Sequence, residues 1–329
     1  MSIVVASDLG KPVMRNFERL TTASDQFFGS TVNGGYPMVW VVDNNMAIRM
    51  GVVNALNSDN CHFNISPGQS VLEVALEQLP LIYQNLAEAE WRVEPFNIPP
   101  GKYFPRIARP NHQHPGDFPS QIPPNGWPHE KAAAMLQAES LCERLENAFR
   151  TIDPDPQNMN SFGGEFRNIL ILAATEFEAQ CKGILRANEY SNGGGNNWNT
   201  KDYVKLEPAL RLADYSLSLA RYPWIDPITP FKNWTANAPT QSLGWYDAYN
   251  AVKHDREKSF AQASLTNAIQ SVTAVVAICL AEFGIDFLRQ SSLLRDIFAV
   301  RERPSWSIGD THGQVSGLGP IEPIFYPFD

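Results

Sequence analysis

Tyr246, Asn250, Lys253, His254 and Glu257 are spaced three, four or one residues apart, which on a helix places them along one polar stripe. Trp245, Tyr249, Val252 and Arg256 form an adjacent stripe that is largely apolar. The polar stripe combines an amide, a fixed ammonium and an imidazole, whose reference pKa of ~6.5 suits proton transfer near neutrality. His254, Asn250 and Lys253 are therefore the candidate catalytic residues. Trp245, Tyr246, Tyr249 and Arg256 are candidate binding residues, with Trp245 or Tyr246 placed to stack on a base. Core packing alone does not explain a helix that spends Asn, Lys and His on one stripe.

A second charged set, Glu176, Glu178 and Lys182, falls on an earlier amphipathic segment, and it completes the candidate binding residues. Glu178 and Lys182 have the i, i+4 spacing of a surface ion pair, which is worth only ~0.3–0.5 kcal/mol. A Glu176 or Glu178 directed into the fold would instead pair with Lys253 or orient His254. The spacing allows both.

The elements that must position these residues are mostly helical. Phe162–Asn188 carries Phe166, Ile169, Leu170, Ala173, Ala174, Phe177, Cys181, Ile184 and Leu185 on one face, the pattern of an amphipathic helix. His129–Ile152 is rich in strong helix formers, and Tyr203–Arg221, Leu243–Lys258 and Ser264–Leu288 complete a helical bundle over 129–303. Gly193-Gly-Gly195 with its surrounding asparagines breaks the chain between helices. Residues 1–91 read as a smaller mixed α/β region, with strands at Val4-Val5 and Met38–Val42 and helices at Ala47–Leu56 and Val71–Trp91. Ten of the 25 prolines fall between Val93 and Pro128, so 92–128 is a Pro-rich linker or surface strap. Residues 304–329 read as an extended tail packed by its aromatics.

Composition narrows the function classes. A formal net charge of −9 disfavours bulk electrostatic binding to nucleic acid, and leaves room for a local basic patch. The four cysteines lack metal-ligand spacing and three sit in apolar helical patterns, so buried thiols are expected. His112 and His114 lack a third ligand, and neither a metal nor a cofactor is expected. The N-terminus shows no signal-peptide pattern, which points to a cytoplasmic protein. Val272–Leu288 is the most apolar stretch, yet Glu282, Gly284 and Asp286 interrupt it. It falls short of the ~20 apolar residues a bilayer requires and reads as a core helix rather than a membrane span.

Asn250 followed four residues later by His254 on a late helix, with an earlier Glu-bearing amphipathic helix, resembles the HEPN superfamily of nucleotide-binding domains. Tyr249-Asn-Ala-Val-Lys-His-Asp-Arg256 is also similar to uncharacterised bacterial proteins with a Tyr-Asn-x-x-Lys-His-x-Arg signature. The resemblance covers Phe162–Leu288 and implies a HEPN-like bundle, a homodimer, and RNA or a nucleotide as ligand. Members that cleave RNA use an Arg, a polar residue and a His; here Asn250 and His254 match, while Tyr249 stands where the Arg is expected. Lys253, Arg256 or Arg167 would then have to supply the cation. Three readings follow: a non-catalytic module binding a nucleotide, RNA or a protein partner; a metal-independent ribonuclease of defence or toxin type using His254; and an interaction scaffold.

Overall fold

The computed structural model describes residues 26–32, 38–43, 46–50, 62–67, 69, 73, 91–99, 101–111, 117–120, 123, 126–195, 197–312 and 322–328. The chain divides into two compact units. The first comprises 1–103, 109–117 and 305–323; the second comprises 104–108, 118–304 and 324–329. The Pro-rich stretch and the tail are thus each shared between the two units, where the sequence suggested one separate strap and one separate tail.

The described part of the first unit is mainly an antiparallel sheet. Strands β1 (Gln26–Val32), β2 (Met38–Asp43), β3 (Met46–Met50), β4 (His62–Asn64) and β5 (Trp91–Pro95) take the order β4-β3-β2-β1-β5. The strand expected at Met38–Val42 is present as β2. The helix expected from Ala47 is replaced by β3, which pairs Val41 with Ile48 and Val39 with Met50. Met46-Ala-Ile-Arg-Met50 is short and mostly apolar, and its pairing with β2 prevails over the helix propensity of Ala and Met. Val4-Val5, 51–56 and nearly all of Val71–Trp91 lie outside the described residues, as do His112, His114 and Cys61. Two short strands, β6 (Lys102–Tyr103) and β9 (Glu322–Pro323), pair in parallel.

The second unit is helical. Helix α1 (Pro128–Phe149) begins on Pro128, whose fixed φ and absent N–H suit a first helical position. Helix α2 (Gly164–Ala187) buries the nine apolar residues anticipated from its periodicity. Helix α7 (Leu265–Phe283) forms the centre of the unit, packed by α1, α2 and α5 (Gly244–His254). Nearly every α7 side chain from Val272 to Phe283 is buried, each large apolar one contributing about 1.5–3 kcal/mol. This helix is long and apolar enough to cross a membrane by length and composition, but 83% of its apolar window is buried inside the fold. Ser264 caps its start by accepting from Asn267 N–H. Gly284 ends it at φ +79°, where an added Cβ would stand 2.5 Å from the Pro119 carbonyl oxygen, so a glycine is required there.

Two other expectations change. Tyr203–Arg221 is not one helix: it runs as α3 (Thr200–Tyr203), α4 (Leu206–Leu210), a 3-10 turn and the strand β7 (Ser216–Leu219). Arg211 adopts φ 51° and breaks the helix, and β7 pairs with β8 (Phe298–Glu302). Leu243–Lys258 stops at His254, where Asp255 leaves helical geometry and caps the short α6 (Arg256–Ser259) by accepting from Lys258 N–H. Glu257 and Arg256 therefore do not continue the α5 stripe. Beyond the bundle, α8 (Asp286–Arg289) and α9 (Ser292–Ile297) lead into β8. The end of the tail packs through its aromatics, with Tyr326 edge-on to Phe104 at 5.0 Å and Phe328 edge-on to Tyr190 at 5.8 Å.

Candidate functional site

Most of the candidate residues lie where α5 runs along α2; Arg256 stands on α6, and Glu176 joins another group. Trp245, Tyr246 and Tyr249 are 1%, 5% and 2% exposed, so the stacking role expected of Trp245 and Tyr246 is closed to them. They belong instead to an aromatic core around Phe177, which meets Trp245 at 5.3 Å, Tyr246 at 6.0 Å, Phe231 at 5.6 Å and Trp234 at 5.8 Å. The Trp245 indole N–H is satisfied by the Pro230 carbonyl at 3.1 Å, as a buried indole requires.

The Tyr246 hydroxyl donates to Glu178 Oε1 at 2.7 Å. Burial is the main reason the Tyr246 phenol is pushed far above its ordinary range, with the hydrogen bond to Glu178 adding to it; this tyrosine stays a neutral donor. Glu178 also meets Lys182 at 3.5 Å. Tyr246→Phe removes the bond to the carboxylate, which is still reachable by water, so destabilisation of about 1 kcal/mol is expected in a thermal melt. An unchanged melting temperature would mean that the bond adds nothing.

Further along α5, the Lys253 ammonium donates to the Tyr249 hydroxyl at 2.7 Å and lies 4.9 Å from the centre of its ring. That hydrogen bond raises the Lys253 pKa, partial desolvation opposes the rise, and Tyr249 and Glu178 add to it. Lys253 and His254 are exposed, and among the described residues no carboxylate lies within ion-pair distance of Lys253. Asn250 donates its amide to the Tyr246 carbonyl at 3.2 Å, so one of its donors is committed to the helix itself. Neither Glu176 nor Glu178 forms a hydrogen bond or ion pair with His254 or Lys253.

Glu176 faces a different neighbourhood. It accepts from Gln180 Nε2, and Gln180 Oε1 accepts from Arg106 Nη2 at 3.0 Å. Arg106 Nε in turn pairs with Glu282 of α7. This buried chain was not anticipated from the sequence, although a charge inside the apolar run of α7 was a signal that a partner must exist. Arg106 sits at φ 57°, and its guanidinium occupies the space over Gly183, where an added Cβ would lie 2.1 Å from Nη1. Glu282 is fully buried and its Oε2 has no hydrogen-bond partner. Burial pushes its carboxyl up to about 7, against the lowering effect of Arg106.

No protein-family model, no curated protein and no solved structure matches this chain. Cys142, Cys181 and Cys279 are buried free thiols, and no group of three or more potential metal ligands occurs among the described residues.

Proposed function

We propose that the helical unit is a non-catalytic binding module of HEPN-like type for an anionic ligand of the nucleotide or RNA class. Lys253 and His254 hold the ligand at the exposed end of α5, with Lys182 alongside. One observation carries this reading: Lys253 is anchored on the Tyr249 hydroxyl at the surface, with no carboxylate within ion-pair distance among the described residues, in a chain of net charge −9. A lysine serving only to stabilise the fold is better placed against a carboxylate.

Catalysis is the weaker reading. Tyr249, at the position where the resemblance expects an arginine, is buried and its hydroxyl accepts from Lys253, so the planar guanidinium that would grip a transition state at two points is missing and the cation there is the point charge of Lys253. The buried aromatics also remove base stacking, and binding should then follow phosphate rather than base identity. With two contacts to single-stranded RNA, affinity should fall about sevenfold between 50 and 200 mM salt. Lys253→Ala should halve the slope of log affinity against log salt. The test is a titration of fluorescently labelled single-stranded RNA against wild type and Lys253→Ala. An affinity indifferent to salt and to Lys253 would refute the proposed contact.

A further inference from the structure

A second candidate site lies at the start of α2, lined by residues other than those of the α5 edge. A cavity of about 500 Å³ opens between the C-terminal half of α1 and the start of α2, a size suited to a small molecule. Its floor includes Ala148 and Phe166, both buried. At its edge Phe162 is 54% exposed, which leaves apolar ring surface open to a ligand. The ring is held in place edge-on to Phe260 at 5.8 Å, so it is pre-ordered rather than free.

The charges lining the cavity do not cancel. Arg144 is matched to Glu165 at 3.1 Å, whereas Glu143 has no ion-pair or hydrogen-bond partner among the described residues. The first turn of α2 contributes roughly half a positive charge, less than the full negative charge of Glu143. A net negative lining beside an exposed aromatic ring suits a cation over a ring face, a favourable pairing within about 6 Å of the centroid. We infer that this cavity is a binding site for a small organic cation, a primary amine on an aromatic or apolar body. The ammonium meets Glu143 and the Phe162 ring, and the apolar body lies over Phe166 and Ala148. This goes beyond the anion site at α5 and does not depend on it.

The experiment is a ligand-observed NMR titration of the full chain with three probes of similar shape: benzylamine, benzyl alcohol and benzoate. Benzylamine should bind at least tenfold more tightly than benzyl alcohol, and benzoate should bind weakest. Glu143→Gln should abolish the preference for the amine over the alcohol, and Phe162→Ala should weaken benzylamine severalfold. Both residues are surface positions, and a melting curve for each variant confirms that the fold is kept. Preference for benzoate would overturn the inference by showing that Arg144 and the α2 terminus govern the cavity. Binding that ignores both substitutions, or no binding of any probe, would overturn it equally.

Discussion

Above about pH 7, where Glu282 is ionised, Arg106→Ala is expected to destabilise the helical unit by about 3–5 kcal/mol, the range for removing one partner of a buried ion pair. Arg106 is the counter-charge to Glu282 and also the donor that satisfies Gln180. Without it, a fully buried carboxylate has to protonate or draw in water. In a unit of this size the melting temperature should drop by on the order of 10 °C. Gly183→Ala should act in the same direction, because its methyl would occupy the guanidinium's place. The joint replacement Arg106→Met with Glu282→Leu should recover most of the loss, since a packed apolar pair of similar volume often equals or exceeds a buried ion pair. A single Arg106→Ala variant that melts with wild type would show that the pair contributes nothing.

The second large effect depends on pH. The Glu282 carboxyl is raised from its ordinary value of 4.5 to about 7 by burial, with Arg106 opposing the rise and the nearby carboxylates of Glu176 and Glu130 adding to it. Between these values the folded chain holds a proton that the unfolded chain has released. Its contribution to stability is therefore full below about pH 4.5, declines as pH rises through 7 and is constant above. The span corresponds to about 3 kcal/mol. Glu176 is raised too, chiefly by burial, and shifts stability in the same direction. Comparison with Glu282→Gln isolates the contribution of Glu282, because the amide cannot titrate. Stability of the variant minus that of wild type, measured by urea unfolding, should grow by about that amount from pH 4.5 to 7. A constant difference would mean that Glu282 does not titrate in this window.

Much of the helical unit was legible in the sequence, and the reasons are local. The buried face of α2 follows from a 3.6-residue period that no competing pattern disturbs, and α1 and α7 announce themselves by composition and length. Local signals gave way wherever a single residue took a special conformation. Arg211 in the left-handed region splits the expected Tyr203–Arg221 helix, and Asp255 ends α5 before Arg256. At Met46–Met50 a short, mostly apolar segment of helical composition was resolved by pairing with β2, a long-range event that spacing cannot reveal.

The site was legible in part. His254 and Lys253 are exposed, while Trp245, Tyr246 and Tyr249 are absorbed into the aromatic core around Phe177. The helical wheel assigned Tyr249 and Lys253 to different stripes, yet they are joined by a hydrogen bond, because an i, i+4 pair shares a face whatever its polarity. The Arg106–Glu282 pair spans 176 residues of sequence. Only the burial cost of a charge in the α7 run hinted at it.

The central claim is that the α5 edge binds an anionic polymer without cleaving it. The most direct test incubates purified protein with labelled single-stranded RNA, without added metal, and reads the bound fraction and the length of the recovered RNA together. The expected result is salt-sensitive binding that weakens severalfold in Lys253→Ala and in His254→Ala, with the RNA recovered at full length. Shortened RNA in wild type but not in His254→Ala would contradict the claim and establish a ribonuclease. The absence of binding would remove the anion site and leave the bundle as an interaction scaffold.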